Sequence, residues 1–195
     1  MPSIGLILTP GFADWEYAFI AGTAAPYYGI ETRFFTPMQG QGQGQGQFRS
    51  MGGLAVTVEN GLQQCLDWRP DVVAVIGGTL WEQRDAPDLN SFLRTARGNG
   101  AGIAGICGGT LALARAGLLD TVAHTSNGAE FLQDNAAGYH GGALYQASPR
   151  AVASEGIITA AGTAPLSFTC AVFAAVGLAP EAIAKFQSML TAESA

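Results

Sequence analysis

Apolar residues along this chain fall into short unbroken runs, separated by longer stretches in which they recur at helical spacing. Unbroken apolar runs bounded by turn residues predict strands buried on both faces, and the longer amphipathic stretches predict helices. Ser3 to Thr9 reads as a first core strand, Trp15 to Tyr28 as a helix and Glu31 to Thr36 as a second strand. Leu54-Ala-Val-Thr-Val58 alternates, which predicts an edge strand or a hairpin arm. Val72 to Ile76 is a continuous apolar strand ending in Gly77-Gly78; Leu89 to Arg97 is a helix and Gly102 to Ile106 another strand. Ala129 to Asn135 suits a short helix, Gly156 to Ala160 a strand, Leu166 to Val176 a helix, and a last helix runs from Pro180 to near Leu190. Apolar strands alternating with helices predict an α/β domain, a three-layer α/β/α sandwich on a largely parallel sheet. Ligands of such sheets bind beyond the carboxyl ends of the strands.

One segment breaks the rhythm. Residues 39–47 alternate Gln and Gly and offer no side chain to a core, so they read as a low-complexity loop insertion in an otherwise single domain spanning residues 1–195.

Composition narrows the class. A chain of 195 residues, 48% hydrophobic, can bury roughly 70% of the surface it exposes unfolded. A net charge of −6 argues against a nucleic-acid partner. Three cysteines in no framework spacing point to a reducing, cytoplasmic setting. The first residues carry no basic region before their apolar run, and no apolar run is long enough to span a membrane.

The segment Gly102-Ile-Ala-Gly-Ile-Cys107-Gly-Gly-Thr110 carries the chemistry. A strand that turns sharply into a helix holds its turn residue in a strained conformation between small neighbours, which is the mechanics of a nucleophile elbow. Cys107 would then stand above the strand end, near the positive end of the next helix, where thiolate is favoured. A lone cysteine is more often a small buried hydrophobe, and Cys65 and Cys170 are read that way. Three strand ends converge on Cys107 at one sheet edge. Glu16, in Thr9-Pro-Gly11-Phe-Ala-Asp14-Trp-Glu16, would project toward it, although a first-turn acid also complements its own helix dipole. Gly78 and Gly108 would offer N–H groups to an oxyanion, although Gly77-Gly78 also reads as an ordinary turn. Together these groups suit addition of a thiolate to a carbonyl or other electrophilic carbon. Trp15, Tyr17, Phe19 and Trp81 lie near this edge, as pocket, interface or core, and Trp81 is taken as a candidate pocket residue.

These residues resemble the ThiJ/PfpI superfamily, with its flavodoxin-like, class I glutamine amidotransferase-like fold. The resemblance runs over nearly the whole chain. It rests on the Pro10-Gly11 to Glu16 spacing, Val72 to Gly78, Ala104-Gly-Ile-Cys-Gly-Gly109, Gly117-Leu-Leu-Asp120 and Ile158 to Phe168. It implies Cys107 as nucleophile and Glu16 as the acid beside it. Protease-like members often carry His after the cysteine and isonitrile hydratase-like members a hydroxyl residue; here Gly108 stands there. The late His-x-Glu pair of glutaminases is missing, since His124 and His140 are followed by Thr-Ser and Gly-Gly. The resemblance places a polar group near the thiol in the segment His124-Thr-Ser-Asn127, so His124 as a catalytic group or Asn127 as a pocket residue takes that place. His140 reads as a loop residue. Glu16 can assist a thiolate only when protonated, because an ionised neighbour raises a thiol pKa.

The function implied is a cysteine-dependent enzyme acting on a small reactive carbonyl, glyoxalase III-like, converting methylglyoxal to lactate. Alternatives are an amide or isonitrile hydrolase or hydratase, and a redox sensor or stress-response protein using an oxidisable Cys107. The partners expected are a small-molecule substrate and, from the resemblance, a second copy in a homodimer. No organic cofactor or metal is implied, since no ligand cluster stands at metal spacing.

Overall fold

In the computed structural model, which describes residues 1–38 and 46–192, seven strands form one sheet in the order β5-β2-β1-β6-β7-β9-β8. These are β1 (Ser3–Ile7), β2 (Glu31–Thr36), β5 (Asn60–Gly61), β6 (Val72–Val75), β7 (Gly102–Ile106), β8 (Val152–Ser154) and β9 (Ile157–Ala160). Every neighbouring pair is parallel except β8 with β9. A separate antiparallel hairpin joins β3 (Gln47–Arg49) to β4 (Ala55–Thr57). The expected hairpin arm at Leu54 to Val58 is therefore β4.

Helices cover both faces, which is why the central strands are apolar throughout. Successive side chains of a strand point to opposite faces, and the core divides accordingly. On one face Ile4, Leu6, Val72, Ala74, Ala104 and Ile106 pack with residues of α1 (Asp14–Tyr28), α6 (Pro165–Ala175) and α7 (Pro180–Thr191). On the other, Val73, Val75 and Ile103 pack with α2 (Leu62–Trp68), α3 (Asn90–Gly98), α4 (Gly109–Arg115) and α5 (Ala129–Asn135). The result is the three-layer, flavodoxin-like α/β/α arrangement that the alternation of elements predicts.

The structure departs from the sequence reading in a few places. Helix α2 escapes that reading because Gln63, Gln64 and Asp67 make Leu62–Trp68 read as a polar stretch, and it is this helix that buries Cys65 completely. The antiparallel edge strand β8 is too short to stand out from its turn residues. The Gly/Gln insertion expected over 39–47 is shorter at its end, because Gln47 pairs with Thr57 in the hairpin; residues 39–45 lie outside the described residues. Among the described residues no helix is long and apolar enough to cross a membrane.

Candidate active site

Parallel registry sets the carboxyl ends of three strands side by side: Ile7 of β1 pairs with Val75 of β6, which pairs with Gly105 of β7. The chain leaves β7 through Cys107, whose φ of 54° lies in the left-handed region. A non-glycine residue there carries strain on the order of 1–3 kcal/mol and persists only when its surroundings enforce it. The enforcement is visible. Cys107 N–H donates to Ala160 O at 2.9 Å, and its carbonyl accepts from Thr110 N–H at 3.1 Å and from Thr110 Oγ1 at 2.6 Å. Ser126 Oγ, 2.7 Å from Thr110 Oγ1, ties that hydroxyl to the next loop.

Glu16 sits in the first turn of α1 with no exposed surface. Its Oε2 accepts from Gly77 N–H at 2.7 Å. Oε1 is buried with no hydrogen-bond partner among the described residues. Oε1 and Cys107 Sγ flank the same residue: a Cβ on Gly162 would lie 3.1 Å from the one and 3.0 Å from the other. Burial raises the Glu16 carboxyl to about 7, against the lowering effect of Gly77 N–H and the thiol. Burial likewise pushes the Cys107 thiol up to about 11, and the Glu16 charge adds to the rise. Asn127 and Gly108 N–H pull it down less. Desolvation and an ionised Glu16 thus work against a thiolate, while Asn127 and Gly108 N–H work for it. The two groups do not carry charge together cheaply, so a thiolate at Cys107 requires the proton to sit on Glu16.

The polar partner of the thiol is Asn127. Its Nδ2 donates to Sγ at 3.2 Å and its Oδ1 accepts from Gly162 N–H at 2.9 Å. Trp15 Nε1 donates to Gly162 O at 2.9 Å, so the Gly162 peptide is gripped at both ends. His124 is placed elsewhere and does not take the position by the thiol proposed for it. It is fully buried, with Nδ1 2.8 Å from Val122 O and Nε2 2.6 Å from Tyr139 Oη. A carbonyl only accepts, so Nδ1 carries the proton and Nε2 accepts from the tyrosine; both ring nitrogens are engaged away from Sγ. His140 is an exposed loop residue whose N–H donates to Asp120 Oδ1 at 2.9 Å.

Trp81 also departs from its reading as a pocket residue. It is fully buried, Nε1 donating to Ile76 O at 2.9 Å, and it forms the floor beneath the elbow. Tyr17 and Phe19 pack into the α1 face of the core, while Trp15 is 48% exposed beside the site. The Gly78 and Gly108 backbones abut: a Cβ at 108 would meet Gly78 O at 2.7 Å and the Trp81 ring at 3.2 Å. Gly108→His, the residue common in protease-like members, is therefore expected to destabilise the fold by about 1–3 kcal/mol. Thermal melting checks this, at roughly 2–4 °C per kcal/mol for a chain of this size, and an unchanged Tm would show that the elbow yields to a side chain.

Gly162 and its anchor through Trp15 were not singled out from sequence. The available signal is Gly162 itself, two residues beyond a fourth parallel strand, β9, and hence on the same edge as Cys107. Beside Asn127 an open cleft of about 760 Å³ runs along the start of α5. Among the described residues no group of three or more His, Cys, Asp or Glu converges to hold a metal ion.

Comparison with known proteins places the fold. Residues 2–175 match the DJ-1/PfpI family. A relative named uncharacterized protease YoaZ, from Bacillus subtilis, is 30% identical over 157 residues, covering 80% of this chain and 74% of its own. A second, uncharacterized protease YdeA of the same organism, is 28% identical over 190 residues, covering 91% of this chain and 85% of its own. Among solved structures, a DJ-1 superfamily protein from Agrobacterium tumefaciens superposes with a TM-score of 0.90 at 36% identity, with both chains covered in full. A thiJ/pfpI family protein from Bacillus anthracis gives a TM-score of 0.83 at 26% identity, covering 99% of this chain and 92% of that one. With the elbow at Cys107 and the buried Glu16 beside it, the chain belongs to the DJ-1/PfpI family.

Proposed function

We propose that this protein is a cofactor-independent enzyme in which Cys107 adds to the aldehyde carbon of a small α-oxoaldehyde and Glu16 moves the protons, yielding a 2-hydroxy acid. The observation that carries this reading is the single acid–base group at the thiol. Glu16 is a buried carboxyl raised to about 7, the range in which a group both takes and returns protons near neutrality.

As the sulfur–carbon bond forms, Glu16 takes the thiol proton, so no standing thiolate is needed. The carbonyl electron pair moves to oxygen, where Gly78 and Gly108 N–H are the proposed donors. Glu16 returns the proton to that oxygen, giving a hemithioacetal. The carboxylate then removes the proton from the same carbon, and the freed pair makes an enediolate with the adjacent ketone. Glu16 redelivers its proton to the former ketone carbon while the hydroxyl proton passes between the two oxygens, leaving a thioester. Water hydrolyses the thioester, restores the thiol and releases the acid. For methylglyoxal the sum is one water added and lactate formed.

Competing chemistries fit less well. Amide, peptide or isonitrile conversion needs a further group to activate water or protonate a leaving amine, and both nitrogens of His124 are engaged with Val122 and Tyr139. The test is incubation with methylglyoxal. Lactate in excess of protein is expected; no lactate above a buffer blank would overturn the reading.

A further inference from the structure

We infer that the cleft beside Asn127 selects bulky, uncharged, aryl-bearing α-oxoaldehydes for Cys107 and turns anionic carbonyl compounds away; this rests on the carbonyl reading of the site. The cleft adjoins the reacting atom through Asn127. Asn127 lines it and touches Sγ at 3.2 Å. Ala161 and Thr163 line it on either side of Gly162, where a Cβ would stand 3.0 Å from Sγ.

Size is the first argument. The cleft is open and has a volume of about 760 Å³. A three-carbon aldehyde would leave most of it to water. Wall chemistry is the second. Phe131 and Tyr145 present half-buried aromatic rings to the cleft. Tyr145 is held in place, its hydroxyl donating to Ser126 O at 3.4 Å and its ring meeting His124 edge-on at 5.9 Å. His124, absent from the thiol, thus acts as a positioning residue for the cleft wall. Aromatic walls favour an aryl tail stacked or edge-on against them.

Charge is the third argument. Among the described residues Glu130 is the one charged side chain that lines the cleft, and no lysine or arginine does. A carboxylate or phosphate on the substrate would face Glu130 and meet no lysine or arginine among the described residues that line the cleft. Like charges a few ångströms apart in a partly desolvated site change rates by about tenfold.

The experiment has two arms, so that failure of the enzyme reading is seen apart from failure of this one. In the first, the native protein is alkylated at pH 8 with iodoacetamide or iodoacetate, and the modified cysteine is located by peptide mass spectrometry. The iodoacetamide-to-iodoacetate rate ratio at Cys107 is expected to exceed that of N-acetylcysteine by about tenfold, to shrink as salt is added and to fall in Glu130→Lys. A ratio equal to the free thiol's overturns the charge selection, whatever the enzyme activity. In the second, phenylglyoxal, 4-carboxyphenylglyoxal and methylglyoxal are compared by kcat/KM. Phenylglyoxal is expected to lead both others, and to lose that lead over methylglyoxal in Phe131→Ala. Methylglyoxal or the carboxylated compound in first place overturns the substrate class. Turnover of none, with iodoacetate still excluded, removes the enzyme reading and the aldehyde class while the charge selection stands.

Discussion

Glu16→Gln is expected to slow lactate formation by about 10²–10⁴-fold, the usual worth of a positioned general acid–base group, and at the same time to make Cys107 easier to alkylate near neutral pH. The opposite signs follow from the two roles of one carboxylate. As a base it carries protons through every step of the proposed reaction, and an amide does not. As a buried negative charge it raises the thiol pKa, and glutamine removes that charge while keeping a donor for the sulfur. The pH midpoint of iodoacetamide alkylation should move down in the variant. A midpoint that stays or rises would show that Glu16 does not burden the thiol, and an unchanged kcat would remove it from catalysis.

The same residue sets a pH dependence of stability. Its carboxyl is raised from 4.5 to about 7 in the folded protein, so between those values the native state binds more protons than the unfolded chain. Its contribution is fully present below about 4.5 and is lost as pH rises through about 7. Glu16→Gln should therefore gain Tm relative to the native protein at pH 8, and less at pH 5. Equal Tm differences at the two pH values would contradict a buried, raised carboxyl.

Replacing Cys107 by Ala or Ser is expected to reduce lactate formation to the buffer background, a loss of at least about 10³-fold. The reaction passes through covalent bonds to Sγ, and a serine hydroxyl at this site is far too weak an acid to give up its proton to Glu16. Cys170, half-buried on α6, serves as the control: Cys170→Ala should retain the native rate. Residual turnover in Cys107→Ala would relocate the chemistry to another group. Melting curves separate the outcomes, since Ala at 107 keeps the β-carbon and the left-handed backbone that the surrounding hydrogen bonds enforce.

The relation between sequence and site is uneven, and the reasons are local. Fully apolar runs such as Val72–Val75 and the Gly-x-Cys-Gly-Gly turn are legible because burial on both faces and a strained elbow each leave a compositional mark. That mark is absent where one contact, not a pattern, makes the decision. His124 and Asn127 stand three residues apart, both polar, and which one reaches the sulfur depends on where Val122 O and Tyr139 Oη lie in the folded chain. Trp81 looks like a pocket aromatic until the closeness of Gly78 and Gly108 shows that no space is left above it. Gly162 meets Cys107 across 55 positions of chain, through the pairing of β7 with β9.

From the chain alone came the alternation of buried strands and helices, the parallel sheet, the tight turn at Cys107 and its closeness to Glu16, because periodicity and tight turns are properties of neighbouring residues. Only the tertiary structure decided how deeply that pair is buried, the partner at the sulfur and the shape of the cleft. Desolvation and hydrogen-bond geometry arise where distant segments meet, and their sign depends on distances of a few ångströms that no local pattern encodes.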